Sequence, residues 1–489
     1  MTTPSKLWRH CAELTVLATG AICSAAQAQT GETDSLSLRL DQVIRLVMPM
    51  AGGTGGAGQI TASPFQVHQP IFCKQLTSTS LNRLTLLDTM AHVLCNTPAL
   101  NQALLLVDEQ QALNDISQSA FRPRLSARAE LSARGIPSSN SGAGFLNSSA
   151  TGSIGLSWVL FDAGARAATL EQSRQVLSSA KANQQVAALN TVNEALRLYV
   201  EAATAFARLD ALRETESVAR QSVQAVQVKY EAFVVSLAEK LQAQTALAQA
   251  TLDRVRAEGV WETARGLLAL GMGFSVNQNL SLASINDAFP ASSAAELKPD
   301  LIDITKSLHP RLRVARSDVM ALKSRLDVVR AESKGTLSLS ASSGATKDLS
   351  IQGSRFQGSL SGGLLASIPI FNGGEQQARE AQILAQIANR EEALVQVERD
   401  LVSEVWRNTK LLETETHNLQ AAQLLLSAAS QSYQITFGRY KAGVGSILEL
   451  ITTQSSLSTA RSQLVQAQIG LAQTHLRLEV ATGRIILTQ

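Results

Sequence analysis

The period of the apolar positions changes as each half of the chain is followed from its start to its end. Beyond about residue 165, Val186, Leu189, Val192, Leu196, Tyr199, Ala203 and Phe206 form one seam, and Leu412, Leu419 and Leu426 repeat at seven. This is coiled-coil spacing. It predicts a helix over about 165–230, roughly 100 Å long at 1.5 Å per residue, and a return helix over about 236–270. Ahead of the long helix the period is two, in Leu125-Ser-Ala-Arg-Ala-Glu-Leu131 and in Leu337-Ser-Leu-Ser-Ala341. Gly/Ser/Asn-rich stretches (135–150 and 342–357), expected to be loops, separate these from a second alternating run that ends at Phe161 or Phe371. Period-two runs joined in this way predict β-hairpins, over about 124–161 and 336–371. A helix opening at a proline precedes each hairpin, over 98–121 and 310–333.

The two halves are copies of one another. Trp158-Val-Leu-Phe-Asp-Ala-Gly164 matches Ile368-Pro-Ile-Phe-Asn-Gly-Gly374 at an offset of 210 positions. The same offset aligns Lys229-Tyr-Glu-Ala232 with Arg439-Tyr-Lys-Ala442, Leu241-x-x-Gln244-x-x-Leu247 with Ile451-x-x-Gln454-x-x-Leu457, and Gly273 with Gly483. Upstream it becomes 212, pairing Thr97-Pro-Ala-Leu100 with His309-Pro-Arg-Leu312. One register held this far marks an internal duplication, with repeats at 83–273 and 295–489 joined by 274–294.

No run of about 18 apolar residues follows the first segment, so no helix is available to cross a bilayer. A membrane-spanning region would have to be β-strands closed into a barrel, because unpaired backbone groups cannot face lipid. Four strands per chain cannot enclose a pore; antiparallel barrels need about eight strands merely to fill their interior. Three chains would supply twelve, so geometry points to a homotrimer. The fold class expected is mainly α with a membrane β-barrel: a duplicated helix, β-hairpin and long coiled-coil helix unit. A soluble periplasmic coiled-coil scaffold is the competing reading, but it has no use for two symmetric hairpins.

Composition agrees with long helices packed on small residues: 45% of residues are hydrophobic but only 4% aromatic. A net charge of +3 is spread out, with no basic block interleaved with aromatics, which argues against a nucleic-acid partner. His10, His68, His92, His309, His417 and His475 are dispersed without metal-ligand spacing, so no catalytic site, metal or cofactor is expected. Lys6 and Arg9, an apolar run from Cys11 to Ala25, and Ala26-Gln-Ala28 read as a signal peptide over 1–28. Cys23 sits in a poor context for lipid attachment. The extension 29–82 holds Gly53-Thr-Gly-Gly-Ala-Gly58, formally a dinucleotide pattern; Pro64 and Pro70 follow it in place of a helix, so it reads as a linker. Cys73 and Cys95 remain after cleavage. In an oxidising periplasm they are expected to bond, which would stabilise by about 3 kcal/mol in the chain-entropy model; two separate buried thiols are the alternative.

The two strand-to-helix junctions, the duplication, and Tyr440-Lys-Ala-Gly-Val-Gly-Ser-Ile-Leu-Glu-Leu-Ile-Thr-Thr-Gln454 together resemble the TolC-like outer-membrane factor family. The resemblance covers both repeats and implies a trimer with a barrel in the outer membrane, a periplasmic helical barrel and an equatorial belt including 274–308. The turns at 230–239 and 440–449 would form the periplasmic tip. Glu449 matches an acidic position ringing the entrance, while Thr452 replaces the second acid of that ring. Tyr440 and Glu239 match positions that tie neighbouring tip helices shut, and Gly445 stands where a basic partner is expected. Val234, Val235, Ser236, Gly443, Val444, Gly445 and Ser446 would accept a periplasmic adaptor, which links to an inner-membrane ABC transporter. Cys95-Asn-Thr-Pro98 with an upstream cysteine resembles the branch serving type I secretion of toxins; drug efflux is the alternative.

Overall fold

The computed structural model describes residues 83–136, 145–283, 301–348 and 355–483. The signal segment, the 29–82 extension, Cys73 and the Gly-rich 53–58 pattern lie outside the described residues. The elements are α1 (Leu86–Asn96), α2 (Pro98–Ser119), β1 (Arg124–Ile136), β2 (Phe145–Phe161), α3 (Ala165–Glu231) and α4 (Leu237–Gly271), followed by α5 (Leu301–Leu308), α6 (Pro310–Glu332), β3 (Thr336–Asp348), β4 (Phe356–Ser367), α7 (Glu375–Lys441) and α8 (Ile447–Ala481). The 210-residue offset recurs in the coordinates. Both α3 and α7 have 67 residues, and both α4 and α8 have 35.

The strands form one antiparallel sheet in the order β1-β2-β3-β4. Its register sorts most of the side chains by polarity. Leu125 stands opposite Leu156, Ala127 opposite Ile154, and Leu339 opposite Leu364 on one face. On the other face Ser132 bonds Ser149 at 2.8 Å, Thr151 bonds Thr346 at 3.2 Å, and Ser342 bonds Ser361 at 2.7 Å. The apolar face is uncovered: Leu125, Leu131, Leu360 and Leu364 are exposed. Two expectations need correction. Much of 135–150 and 342–357 is strand, not loop, because Ser and Gly fit a pleated surface whose polar face is solvated. The last strand stops at Ser367, short of Phe371. Ser367 pairs with Thr336, the first residue of β3, so its partner ends there, and Pro369 has no N–H to continue a ladder. Gly335 makes that corner at φ +90°; a Cβ there would lie 2.7 Å from the Ser367 carbonyl oxygen.

Long α3 is the spine. Along its first half it packs against α2 and α6, with Ser179 donating to Asp318 at 2.7 Å. Along its second half α4 and α8 take their places, with Thr215 donating to Ser458 at 3.0 Å. Leu189, Val192, Leu196, Tyr199 and Ala203 of the predicted seam are buried at its waist. There α1 wedges in, its N-terminus closed by a Thr85–Asp88 capping box, and Tyr199 donates to the Leu84 carbonyl. Small residues (Ala188, Ala195, Ala202) let these helices approach closely. The repeats differ in how each long helix holds its return helix. In the first, Glu216 accepts from Arg254 at 2.8 Å and from Thr251 at 3.0 Å. In the second, the positions equivalent to Glu216 and Arg254 are Leu426 and Leu464.

His309 caps α6, its Nδ1 accepting from the Arg311 N–H at 3.2 Å, and it is buried. Burial, then the Arg311 charge, lowers its pKa to about 4. A proton on Nδ1 would also face the N–H that it now accepts from. A histidine whose folded pKa is depressed stabilises fully above its unfolded value of 6.5 and loses that contribution as pH falls towards 4. His309→Asn keeps a capping acceptor but does not titrate. Between pH 6.5 and 4 the native protein should lose about 2–3 kcal/mol more stability than this variant, measured by denaturant unfolding; parallel acid profiles would show that His309 does not titrate as described.

Candidate functional site

At the far end of α3 and α7 from the sheet, two turns lie side by side. Each closes its helix with the same bonds. Val234 N donates to the Lys229 carbonyl at 2.9 Å and Phe233 N to that of Tyr230. In the second turn Val444 N donates to Arg439 O at 3.0 Å and Gly443 N to Tyr440 O. The pattern needs a left-handed residue after the helix: Phe233 has φ 56° and Gly443 φ 83°. Ser236 and Ser446 then cap α4 and α8, their hydroxyls accepting from Glu239 N at 3.3 Å and Glu449 N at 3.2 Å. Both carboxylates therefore sit in a helical first turn, where the dipole favours negative charge. The two Ser-x-x-Glu segments were legible in the sequence as helix N-termini.

The predicted site residues separate into two groups. Tyr440 is buried in an apolar cluster with Val226, Ala243, Ile447 and Leu450, and Val235 packs against that cluster. Val234, Ser236, Gly443, Val444 and Ser446 are exposed, while Glu239, Gly445 and Glu449 are half-buried. Val235 is half-buried, with one side against the tip's core. A Cβ on Gly445 would lie 3.0 Å from the Tyr440 nitrogen, so the site of the expected basic partner is packed against backbone. Arg439 supplies that charge instead, meeting Glu449 at 3.1 Å.

Tyr440 does join the two hairpins, through groups other than its hydroxyl. Lys229 of α3 donates to its carbonyl and places Nζ 4.2 Å from its ring centre. The hydroxyl is buried without a hydrogen-bond partner. Burial, then the nearby Glu239 carboxylate, raises the Tyr440 pKa. Sequence reasoning missed Lys229 and Arg439, equivalent positions in the duplication whose partners depend on how the hairpins pack. Cys95 is buried and disulfide-bonded. Among the described residues no group of three or more His, Cys, Asp or Glu could hold a metal, and no helix is long and apolar enough to cross a membrane.

An amphipathic four-stranded sheet with open edges, held about 100 Å from paired helical turns, defines the fold of an outer-membrane channel subunit. The chain belongs to the outer membrane efflux protein family, whose model matches residues 90–273 and 301–484. It is an outer-membrane protein. It is 29% identical over 408 residues to Protein CyaE of Bordetella pertussis, covering 83% of this chain and 85% of that one. It is 23% identical to the toluene efflux pump outer membrane protein TtgF of Pseudomonas putida, covering 81% and 82%. The fold is shared with the crystal structure of the channel CusC, at a TM-score of 0.73 and 20% identity over 81% of this chain and 92% of that one.

Lys229→Met keeps the aliphatic stem and removes the charge. Losing one charge-assisted hydrogen bond and a cation–π contact, together worth about 1–2 kcal/mol at a half-exposed site, should speed amide hydrogen exchange over 440–446 by roughly 5- to 30-fold. Unchanged exchange would mean that Lys229 does not hold the two turns together.

Proposed function

We propose that three copies of this chain close a twelve-stranded barrel and form the outer-membrane conduit of a tripartite type I secretion system for protein substrates such as a toxin. The observation that carries this reading is the sheet. Its apolar face is exposed, and the outer edge of each terminal strand, β1 and β4, has no partner among the described residues. Such a sheet can enter lipid only if its edges are paired by further copies. Outward-facing apolar residues beside a Ser/Thr-lined inner face are what a water-filled barrel needs. The long helices would continue the conduit towards the inner membrane. There a periplasmic adaptor, linked to an ABC transporter, would engage Val234, Ser236 and Gly443–Ser446. Similarity to Protein CyaE and the Cys95–Pro98 segment support the secretion branch; a Cys73–Cys95 bond is part of this proposal. The similarity to TtgF favours a second reading, an efflux-pump component.

In the trimer three Glu449 carboxylates would ring the entrance, each shared with an Arg439. The detergent-purified protein should run as a trimer and give discrete conductance steps in a planar bilayer. Multivalent cations added on the tip side should reduce them, and Glu449→Gln should weaken that block about tenfold. A monomer that never conducts would overturn the channel reading; conductance with an unaltered block would remove Glu449 from the entrance. Cysteine placed at Ser446 should crosslink to the adaptor in intact cells, and consistent failure to do so would argue against docking at the tip.

A further inference from the structure

Phe233 breaks two rules of stability at once. It holds a left-handed backbone, φ 56°, that favours glycine, and the equivalent position 210 residues on is Gly443, φ 83°. Its side chain is also 96% exposed, although an aromatic ring gains most from burial. The turn does not demand a side chain there, since both turns make the same hydrogen bonds around these residues. Neither its backbone preference nor its packing in the chain accounts for phenylalanine. Strain together with an unburied apolar group points to a role outside the chain.

The surroundings narrow that role. Val228, Val234, Leu237 and Leu241 are exposed around Phe233, so the ring crowns an apolar patch. The second turn offers Val444 and Leu448 on its exposed surface, with Ile435 further back on its helix, and no aromatic. The patch lies a full 67-residue helix away from the sheet, about 100 Å, which removes outer-membrane lipid as its cover. Accepting the adaptor reading above, on which this inference rests, we propose that Phe233 is the specificity anchor of the first-repeat tip. The ring inserts into an apolar pocket on the adaptor. The two tips of each chain are then non-equivalent. The first requires a partner with a pocket, and the second accepts a flatter surface over Gly443. Buried aromatic anchors of this kind dominate interface energetics.

Substituting Phe233 separates this from a structural role, because strain and docking respond with opposite signs. Phe233→Gly relieves the backbone strain, so the trimer's thermal midpoint should hold or rise, while substrate export through the full chain falls about tenfold or more. Phe233→Ser keeps the strained backbone and should lose export equally. Benzoylphenylalanine at 233 should photocrosslink in intact cells to a periplasmic adaptor identified by mass spectrometry. A lower trimer midpoint in Phe233→Gly, or adducts only to a second copy of this chain, would place the ring in the subunit interface and overturn the proposal. Undiminished export in both variants would overturn it too. If the cysteine at Ser446 captures adaptor while position 233 does not, this inference alone fails; if neither does, the docking reading fails with it.

Discussion

Backbone hydrogen bonding in a solvent that offers none is the constraint on which this molecule turns. Among the described residues the sheet leaves one edge of β1 and one edge of β4 without partners, and each unpaired amide or carbonyl in hydrocarbon costs several kcal/mol. Pairing across copies is the remedy that also keeps the apolar face towards lipid. The side-chain alternation allows it: register places Leu125, Leu156 and Leu364 on one face while the serine and threonine pairs share the other. A one-residue slip would reverse every one of these assignments, so the corner at Gly335 matters as much as the strands themselves.

The helical part meets a different demand, that of holding its tip a long way from the membrane without a globular core. A helix of 67 residues takes most of its stability from packing, which here runs along its whole length. Here α3 is covered in relay by α2 and α6, then by α4 and α8. Alanines at the contacts bring the axes close, and the waist around Tyr199 is the most deeply buried region. The duplication creates a hazard, since two long helices of equal length could each accept the wrong return helix. The Glu216–Arg254 pair in one repeat, where the other has Leu426 and Leu464, distinguishes them: pairing α3 with α8 in that register would leave Glu216 facing leucine.

At the tip, stability and function make separate claims on neighbouring residues. Ser236, Ser446 and the acids three positions on complete helix termini. Tyr440 and Val235 fill a small core, and Lys229 clasps one hairpin to the other. What remains on the outside is Phe233 with its flanking apolar residues in one turn, and glycine with valine in the other. The duplicated architecture is therefore kept in the scaffold and diverges at the surface of the two turns.

Sequence by itself determined the repeat, the lengths of α3 and α7, the hairpins and the junctions at Gly164 and Gly374, because period, proline and glycine act on the local chain and survive in any tertiary context. The seam from Leu189 to Ala203 was readable for the same reason. Strand ends were not: the last strand stops at Ser367 because β3 begins at Thr336, a fact of pairing that no run of alternating residues contains. Nor were the partners at the tip. Arg439 meets Glu449 across ten residues, and Lys229 reaches Tyr440 across 211. Tertiary structure alone decided these contacts, since the first depends on how the second turn folds its helices together and the other on how the two hairpins pack, quantities that a helical period leaves free.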